Sequence, residues 1–298
     1  MKSGRDLALA VLAAACFGTT IVFSRTVARE GVAPGVALGI RFACAGLLLV
    51  LVLAVQRRPL LPPPGERLWA FGLGFAFYGV EATFFYLALE RGTAAAVALI
   101  FYAYPAVVAL TETVLGTIRL RSRTLLALVL AISGSAIVAI GGGEVVITTG
   151  GVAFICGSIA VFTGYAVLSA RVVPNTDSLT SAAWTAIGAA SMVLLVGGLR
   201  GSLEAPDADI LRVILANGVT TAVAFTMWFV VIDRLGATRT AICMALEAVV
   251  GVILAAIFLD ESVRALVALG GVAILIGAVL AALGTSPRVE ATEAATPP

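Results

Sequence analysis

Ten apolar stretches, most of them about 20 residues long, follow one another through nearly the whole chain with only short polar gaps between them. About 20 residues of α-helix cross a hydrocarbon core about 30 Å thick, and a backbone facing lipid has to satisfy its own hydrogen bonds. The stretches are Leu7 to Ser24, Val32 to Val55, Leu68 to Leu89, Thr93 to Gly116, Thr124 to Ile140, Gly151 to Ala170, Leu179 to Leu199, Ile214 to Ile232, Ala241 to Leu259 and Ala265 to Leu283. They are too long for barrel strands, so an all-α integral membrane protein with ten transmembrane helices is predicted. With 61% hydrophobic and 12% charged residues, against about 45–50% and 25% in soluble proteins, no sizeable domain outside the membrane is expected.

Charge sets the expected orientation. Twelve Lys and Arg fall in the loops on the N-terminal side, among them Lys2, Arg5, Arg57, Arg58, Arg67 and Arg288. Six fall on the other side, including Arg25, Arg91, Arg200 and Arg264. Basic residues accumulate in cytoplasmic loops, so both termini are expected in the cytoplasm. Lys2 and Arg5 ahead of an apolar run resemble a signal peptide, yet Arg25 and a second run follow, which predicts a retained first span. A net charge of +2 without a basic stripe argues against nucleic-acid binding. The absence of histidine argues against a zinc site, a Ser-His-Asp triad or a histidine proton relay. Cys16, Cys44, Cys156 and Cys243 lie singly inside apolar runs and read as small buried hydrophobes. No cofactor is implied, and no GxxxxGK[ST] loop for ATP is present.

The Gly-rich joint at Gly141 to Gly143 divides the chain into residues 1–143 and 144–284, five spans each, followed by a polar tail, residues 285–298, expected to be disordered. A shift of 143 carries Arg91, Ala98, Val107, Gly134 and Gly141 onto Arg234, Ala241, Val250, Gly277 and Gly284. A shift of 145 carries Phe17, Val22 and Ser24 onto Phe162, Val167 and Ser169. Five is odd, so the second half enters the membrane inverted. Inverted repeats build the two gates of many secondary transporters around a midplane site.

The blocks YPAVVALTETVLGTIRLRSRTLLALVLAISGSAIVAIGG and LEAVVGVILAAIFLDESVRALVALGGVAILIGAVLAALG, with IRFACAGLLLV and its embedded arginine, resemble the drug/metabolite transporter superfamily, in particular its ten-helix EamA-type carriers. The resemblance covers nearly the whole chain. It implies two inverted five-helix repeats around a central cavity and the export of amino acids, drugs or other small metabolites. Such carriers often have Glu-Pro in the fourth and ninth spans. Here Tyr104-Pro105 and Glu247-Ala248 stand there, so each half keeps one element of the pair.

Charges inside a span are costly, at about 2.5–3.5 kcal/mol on insertion scales, and so face the protein or a water-filled cavity. Arg41 and Glu81 lie at similar depths, about 14 and 12 Å from one side, and are expected to pair, either locking two helices or gating. Glu247 has no basic residue at its depth and is expected to take up a proton or to meet a cation, such as a substrate ammonium. Glu112 is expected to reach water or Arg119 and Arg121.

Aromatic faces surround these charges. Tyr78, Glu81 and Phe85 share one helical face. So do Phe101, Tyr104 and Val108, with Pro105 expected to kink the fourth span. Phe17 with Thr20, Phe162 with Tyr165, Phe225 with Trp228, and Met244 beside Glu247 complete an expected apolar, partly aromatic substrate pocket. Tyr102 and Phe84 are expected to contact lipid or neighbouring helices, and Trp184 to sit in the interfacial belt. Gly72, Gly74 and Gly79, and Gly35 with Gly39, are expected to permit close helix approach or bending.

The resulting expectation is a bacterial-type inner-membrane carrier that exports small organic solutes by alternating access. Amino acids, aromatic or hydrophobic, come first, with Glu247 either binding the substrate ammonium or coupling transport to protons. Efflux of drugs and hydrophobic cations, or flipping of a lipid-linked substrate, would use the same residues and stays open. An intramembrane enzyme is disfavoured, because no Ser-Lys or Asp-Asp pair stands at a helical spacing.

Overall fold

The computed structural model describes residues 2–141, 144–201, 204–258 and 265–283. Gly142, Gly143, Leu259, Arg264, Gly284, Arg288 and the tail lie outside the described residues, as do the expectations that rest on them. Among the described residues, ten helical segments are long and apolar enough to cross a membrane: Gly4–Arg29, Pro34–Val55, Arg67–Leu89, Ala94–Val114, Ser122–Gly141, Thr149–Ser169, Ser178–Leu199, Ala208–Leu235, Ala237–Phe258 and Ala265–Ala282. They are the first to tenth spans below. Among the described residues there is no strand, only one isolated bridge between Gly92 and Ile147.

Local chemistry starts several spans. Pro34 opens the second, where its missing N–H is no loss. Thr93, Thr148 and Asp177 accept backbone N–H bonds at the starts of the fourth, sixth and seventh. The eighth span outruns its apolar core, expected over Ile214 to Ile232. It reaches Ala208 and Leu235, because charged residues at its ends lie where water solvates them, Arg212 pairing with Asp209 at 2.7 Å.

Three spans are not continuous α-helices. The third contains a π-helical turn over Leu73–Tyr78. The fourth consists of Ala94–Phe101 and Tyr104–Val114, and the ninth of Ala237–Met244 and Leu246–Phe258. A shift of 143 places Tyr104 on Glu247, so the two interruptions coincide in the repeat. Pro105 explains the first, since it lacks an N–H. The ninth span breaks with alanine in that place, so proline is not its cause. There the Ala241 carbonyl accepts a 3.1 Å bond from the Tyr104 hydroxyl, while Ala245 N–H turns to Ile242 instead.

Packing crosses the halves. The first span lies against the eighth and ninth, and the sixth against the third and fourth, while the second pairs with the seventh and the fifth with the tenth. The close crossings obey the same symmetry. A methyl built on Gly134 would lie 2.6 Å from the Gly270 carbonyl oxygen, and one on Gly277 would lie 2.8 Å from the Ala127 oxygen. The shift of 143 interconverts these two contacts. Gly74, Gly79 and Gly39 likewise touch the seventh span, at Thr185, Met192 and Leu194, whereas Gly72 has open space beside it. Such small-residue contacts let helices approach where lipid supplies no hydrophobic drive.

Candidate functional site

The aromatic faces of both halves meet in one cluster. Phe162 touches Tyr78, Phe101, Tyr104, Tyr165 and Trp228 at ring separations of 4.9 to 6.5 Å. Tyr78 meets Phe225 at 4.7 Å and Phe42 at 5.7 Å, and Phe17 reaches Phe225 and Trp228 at 6.4 Å. Tyr165 stacks on Trp228 at 5.3 Å. Rings from the first, second, third, fourth, sixth and eighth spans thus converge at the interruptions of the third and fourth. Met244, at the end of the first piece of the ninth, is buried in the same core. The central cavity expected there is closed by the rings themselves, with Tyr104, Tyr165, Phe225 and Trp228 each at most 1% exposed.

Not every polar atom in the cluster is satisfied. Trp228 Nε1 in the cluster, and Thr163 Oγ1 next in sequence to Phe162, are buried without a hydrogen-bond partner among the described residues, whereas the Tyr165 hydroxyl has the Ser169 side chain within reach. Leaving such a group unpaired costs about 1–3 kcal/mol, and Ser135 Oγ, Thr185 Oγ1 and Asn217 Oδ1 are left in the same state elsewhere in the bundle.

The charges are arranged differently from expectation. Arg41 and Glu81 form no direct ion pair. Arg41 Nε donates to Thr221 Oγ1 at 2.6 Å and its guanidinium lies 5.1 Å from the Phe42 ring centre. Glu81 Oε1 accepts from Ser158 Oγ at 3.1 Å. The two charges are within electrostatic range of each other, with Tyr78 in range of both. Depth was a fair guide to that proximity. It could not foresee hydroxyls from the eighth and sixth spans as the partners, because they come from the other half of the chain.

Glu247 sits in the first turn of the second piece of the ninth span. Its carboxylate has no hydrogen-bond or ion-pair partner among the described residues, and Glu81, Tyr78, Tyr102 and Tyr104 lie within electrostatic range. Glu112 does not reach water or Arg119 and Arg121. It is 5% exposed and accepts from Thr238 N at 2.9 Å and Thr238 Oγ1 at 2.7 Å, holding the start of the ninth span. That position favours a carboxylate, since the first N–H groups of a helix lack internal partners.

Further ties join the halves on the N-terminal side. Glu66 accepts from Asn175 Nδ2 at 2.8 Å, Asn175 N at 3.2 Å and Thr176 Oγ1 at 2.5 Å. Burial raises the pKa of this carboxyl, but the hydrogen bonds outweigh it and hold the group below the ordinary range. Trp184 Nε1 donates to Leu60 O at 2.9 Å, which adds a specific tie to its interfacial position. The cysteines correct one expectation: Cys243 is buried, but Cys16 and Cys44 are half-buried and Cys156 is exposed on the outside of the sixth span. Tyr102 is buried, with its ring against that of Phe101, the preceding residue of the same span, while Phe84 packs on Phe154 of the sixth span as a neighbouring-helix contact. Phe42, Ser158, Thr163 and Thr221 were not singled out from sequence. Only Phe42, adjacent to the embedded arginine, carried any signal.

A family model described as the EamA-like transporter family matches residues 5–140 and again residues 149–283. Of the solved structures, 29 chains are similar. One of these, a crystal structure titled only as that of a protein, aligns with a TM-score of 0.81 at 16% identity, covering 93% of this chain and 97% of that one. That likeness concerns the fold alone. No curated protein sequence matches.

Proposed function

Because the chain belongs to the EamA-like transporter family, membrane carriers of small molecules, we propose that it exports amino acids, aromatic or otherwise hydrophobic, by alternating access. The membrane is a bacterial-type inner membrane with both termini in the cytoplasm, in keeping with the excess of Lys and Arg on the N-terminal side. Residues 1–143 and 144–284 form the two halves that rock about the aromatic cluster. The observation that carries the reading is the ring cluster with its buried, unpartnered indole donor, Trp228 Nε1, stacked on Tyr165. Phe17, Phe101, Tyr104 and Phe162 supply faces for an apolar side chain. The indole N–H suits a carboxylate, and Glu247, within electrostatic range of Tyr104, suits an ammonium or a proton. An ammonium over these rings gains about 0.5–2 kcal/mol by cation–π attraction. With the rings closed on each other, substrate enters only when the halves part.

The test is flux of labelled amino acids in proteoliposomes, with and without a pH gradient, competed by unlabelled aromatic amino acids and by hydrophobic cations. Saturable flux suppressed by an aromatic amino acid is expected. Flux for hydrophobic cations alone would replace this reading with drug efflux, which the unpaired Glu247 would equally serve. Glu247→Gln should abolish gradient dependence without affecting insertion, and unchanged transport would remove Glu247 from the site.

A further inference from the structure

Two cavities lie away from the aromatic cluster, one at each end of the paired second and seventh spans. The first, about 440 Å³, lies on the side opposite the N-terminus, between the start of the second span, the end of the third and the end of the seventh. Leu38, Thr83, Leu87, Val196 and Arg200 line it. The second, about 410 Å³, lies on the N-terminal side between the end of the second span, the start of the seventh and the eighth, lined by Arg58, Leu179, Thr226 and Val230. Both volumes fall in the range of small-molecule sites, about 300–1,000 Å³.

The repeat relates them. A shift of 143 carries Thr83 onto Thr226 and Leu87 onto Val230, and a shift of 145 carries Pro34, at the first cavity, onto Leu179, at the second. Thr83 and Thr226 even share their hydrogen bonding, each hydroxyl donating to the carbonyl four residues back at 2.8 and 2.9 Å. The donor of each hydroxyl is thus spent inside the helix; the first cavity keeps a largely apolar body, and the second is apolar along Leu179, Val230 and the Thr226 methyl, with Gln56, Arg58, Asp177 and Ser178 at the helix ends around its mouth. At each mouth stands an arginine at a helix end. Arg200 lies 3.4 Å from Glu90, which is itself shared with Arg91 at 3.2 Å, so the first mouth keeps one excess positive charge. At the second mouth Asp177 is committed to Leu179 N, Thr180 N and Thr180 Oγ1. Arg58 makes no ion pair among the described residues, and Arg57 precedes it.

We propose that these cavities are a repeat-related pair of phospholipid sites, one in each leaflet, each taking an acyl chain in its apolar body and the lipid phosphate at Arg200 or Arg58. An apolar slot with an arginine at the membrane boundary matches the two chemistries that one phospholipid carries. The guanidinium is suited to phosphate, and a long side chain at a helix end reaches the interface. Bound lipids would then brace the second and seventh spans against the third and eighth.

The experiment uses the full chain in vesicles of phosphatidylglycerol doped with an analogue bearing a diazirine on its acyl chain, with labelled peptides mapped by mass spectrometry. Label should concentrate on the two cavities. Thr83→Phe should remove most label from the first while sparing the second, and Thr226→Phe should do the reverse. Arg58→Gln, and Arg200→Gln, which also gives up the pair with Glu90, should each lower label in their own cavity several-fold. Label spread evenly over lipid-facing residues such as Leu47, Leu126 and Leu195 would overturn the proposal. So would equal labelling by a diazirine diacylglycerol, which has the chains but no phosphate.

Discussion

Alanine at Gly270 should leave the protein about 1–3 kcal/mol less stable than alanine at Gly271, its neighbour in the tenth span. A methyl on Gly270 would lie 2.6 Å from the Gly134 carbonyl oxygen and 3.0 Å from side-chain carbons of Ile137 and Val138. Carbon contacts prefer about 3.5–4.0 Å, so the fifth and tenth helices would have to part by roughly 1 Å. A methyl on Gly271 meets only Val249, at 3.6 and 3.7 Å, which is ordinary contact. Both changes gain the same helix propensity, about 1 kcal/mol. That gain cancels in the comparison and leaves the crossing alone. Gly134→Ala should cost as much as Gly270→Ala. The double variant should cost less than their sum, since one separation accommodates both methyls and neighbouring sites do not add. Equilibrium unfolding in mixed micelles of rising dodecyl sulfate, followed by tryptophan fluorescence, reads the difference. A Gly270→Ala variant as stable as Gly271→Ala would refute the close crossing, and with it the symmetry argument drawn from Gly277 and Ala127.

Reversing both charges of Arg41 and Glu81 should rescue the single reversals only in part in the same unfolding assay, because the attraction between the charges is kept while each loses its hydroxyl partner; full rescue would restore the direct pair. Thr221→Val should destabilise by about 1–3 kcal/mol, the cost of leaving a buried guanidinium N–H unpaired, and a neutral effect would show that Arg41 has another partner. Tyr104→Phe should cost about 1–3 kcal/mol by orphaning the Ala241 carbonyl, and an unchanged unfolding midpoint would place that bond outside the fold's support. Glu66 has a lowered pKa, so its contribution is fully present above the unfolded carboxylate range and is lost as pH falls through the folded value. Stability of the wild type relative to Glu66→Gln should therefore shrink below about pH 4, and a pH-independent difference would contradict the carboxylate's role.

What the sequence could show depended on whether a feature was local. Helical periodicity put Tyr78, Glu81 and Phe85 on one face, and that face does meet the sixth and fourth spans, at Phe162, Ser158 and Phe101. Pro105 announced the break in the fourth span by its missing N–H. The break in the ninth carried no such sign, because it involves a tyrosine hydroxyl 137 positions away. Partners of buried charges failed for the same reason. Depth along a helix is readable from spacing, but lateral neighbours follow from which helices pair, and here every such partner crosses from one half to the other. Glu112 stands close in sequence to Arg119 and Arg121, but the free N–H of Thr238, 126 positions away, holds it.

The bond from Arg41 to Thr221 spans 180 positions. At a synthesis rate of about 5–20 residues per second, an arginine already threaded into the bilayer waits roughly 10–40 s before its acceptor is made. Glu81 waits for Ser158 over a shorter interval, 77 positions. During that time the first five spans form a charged, glycine-faced half with nothing to close it. Assembly of this protein is thus a matter of timing as well as affinity, and the ribosome's pace over the second half decides how long the membrane holds an unfinished carrier.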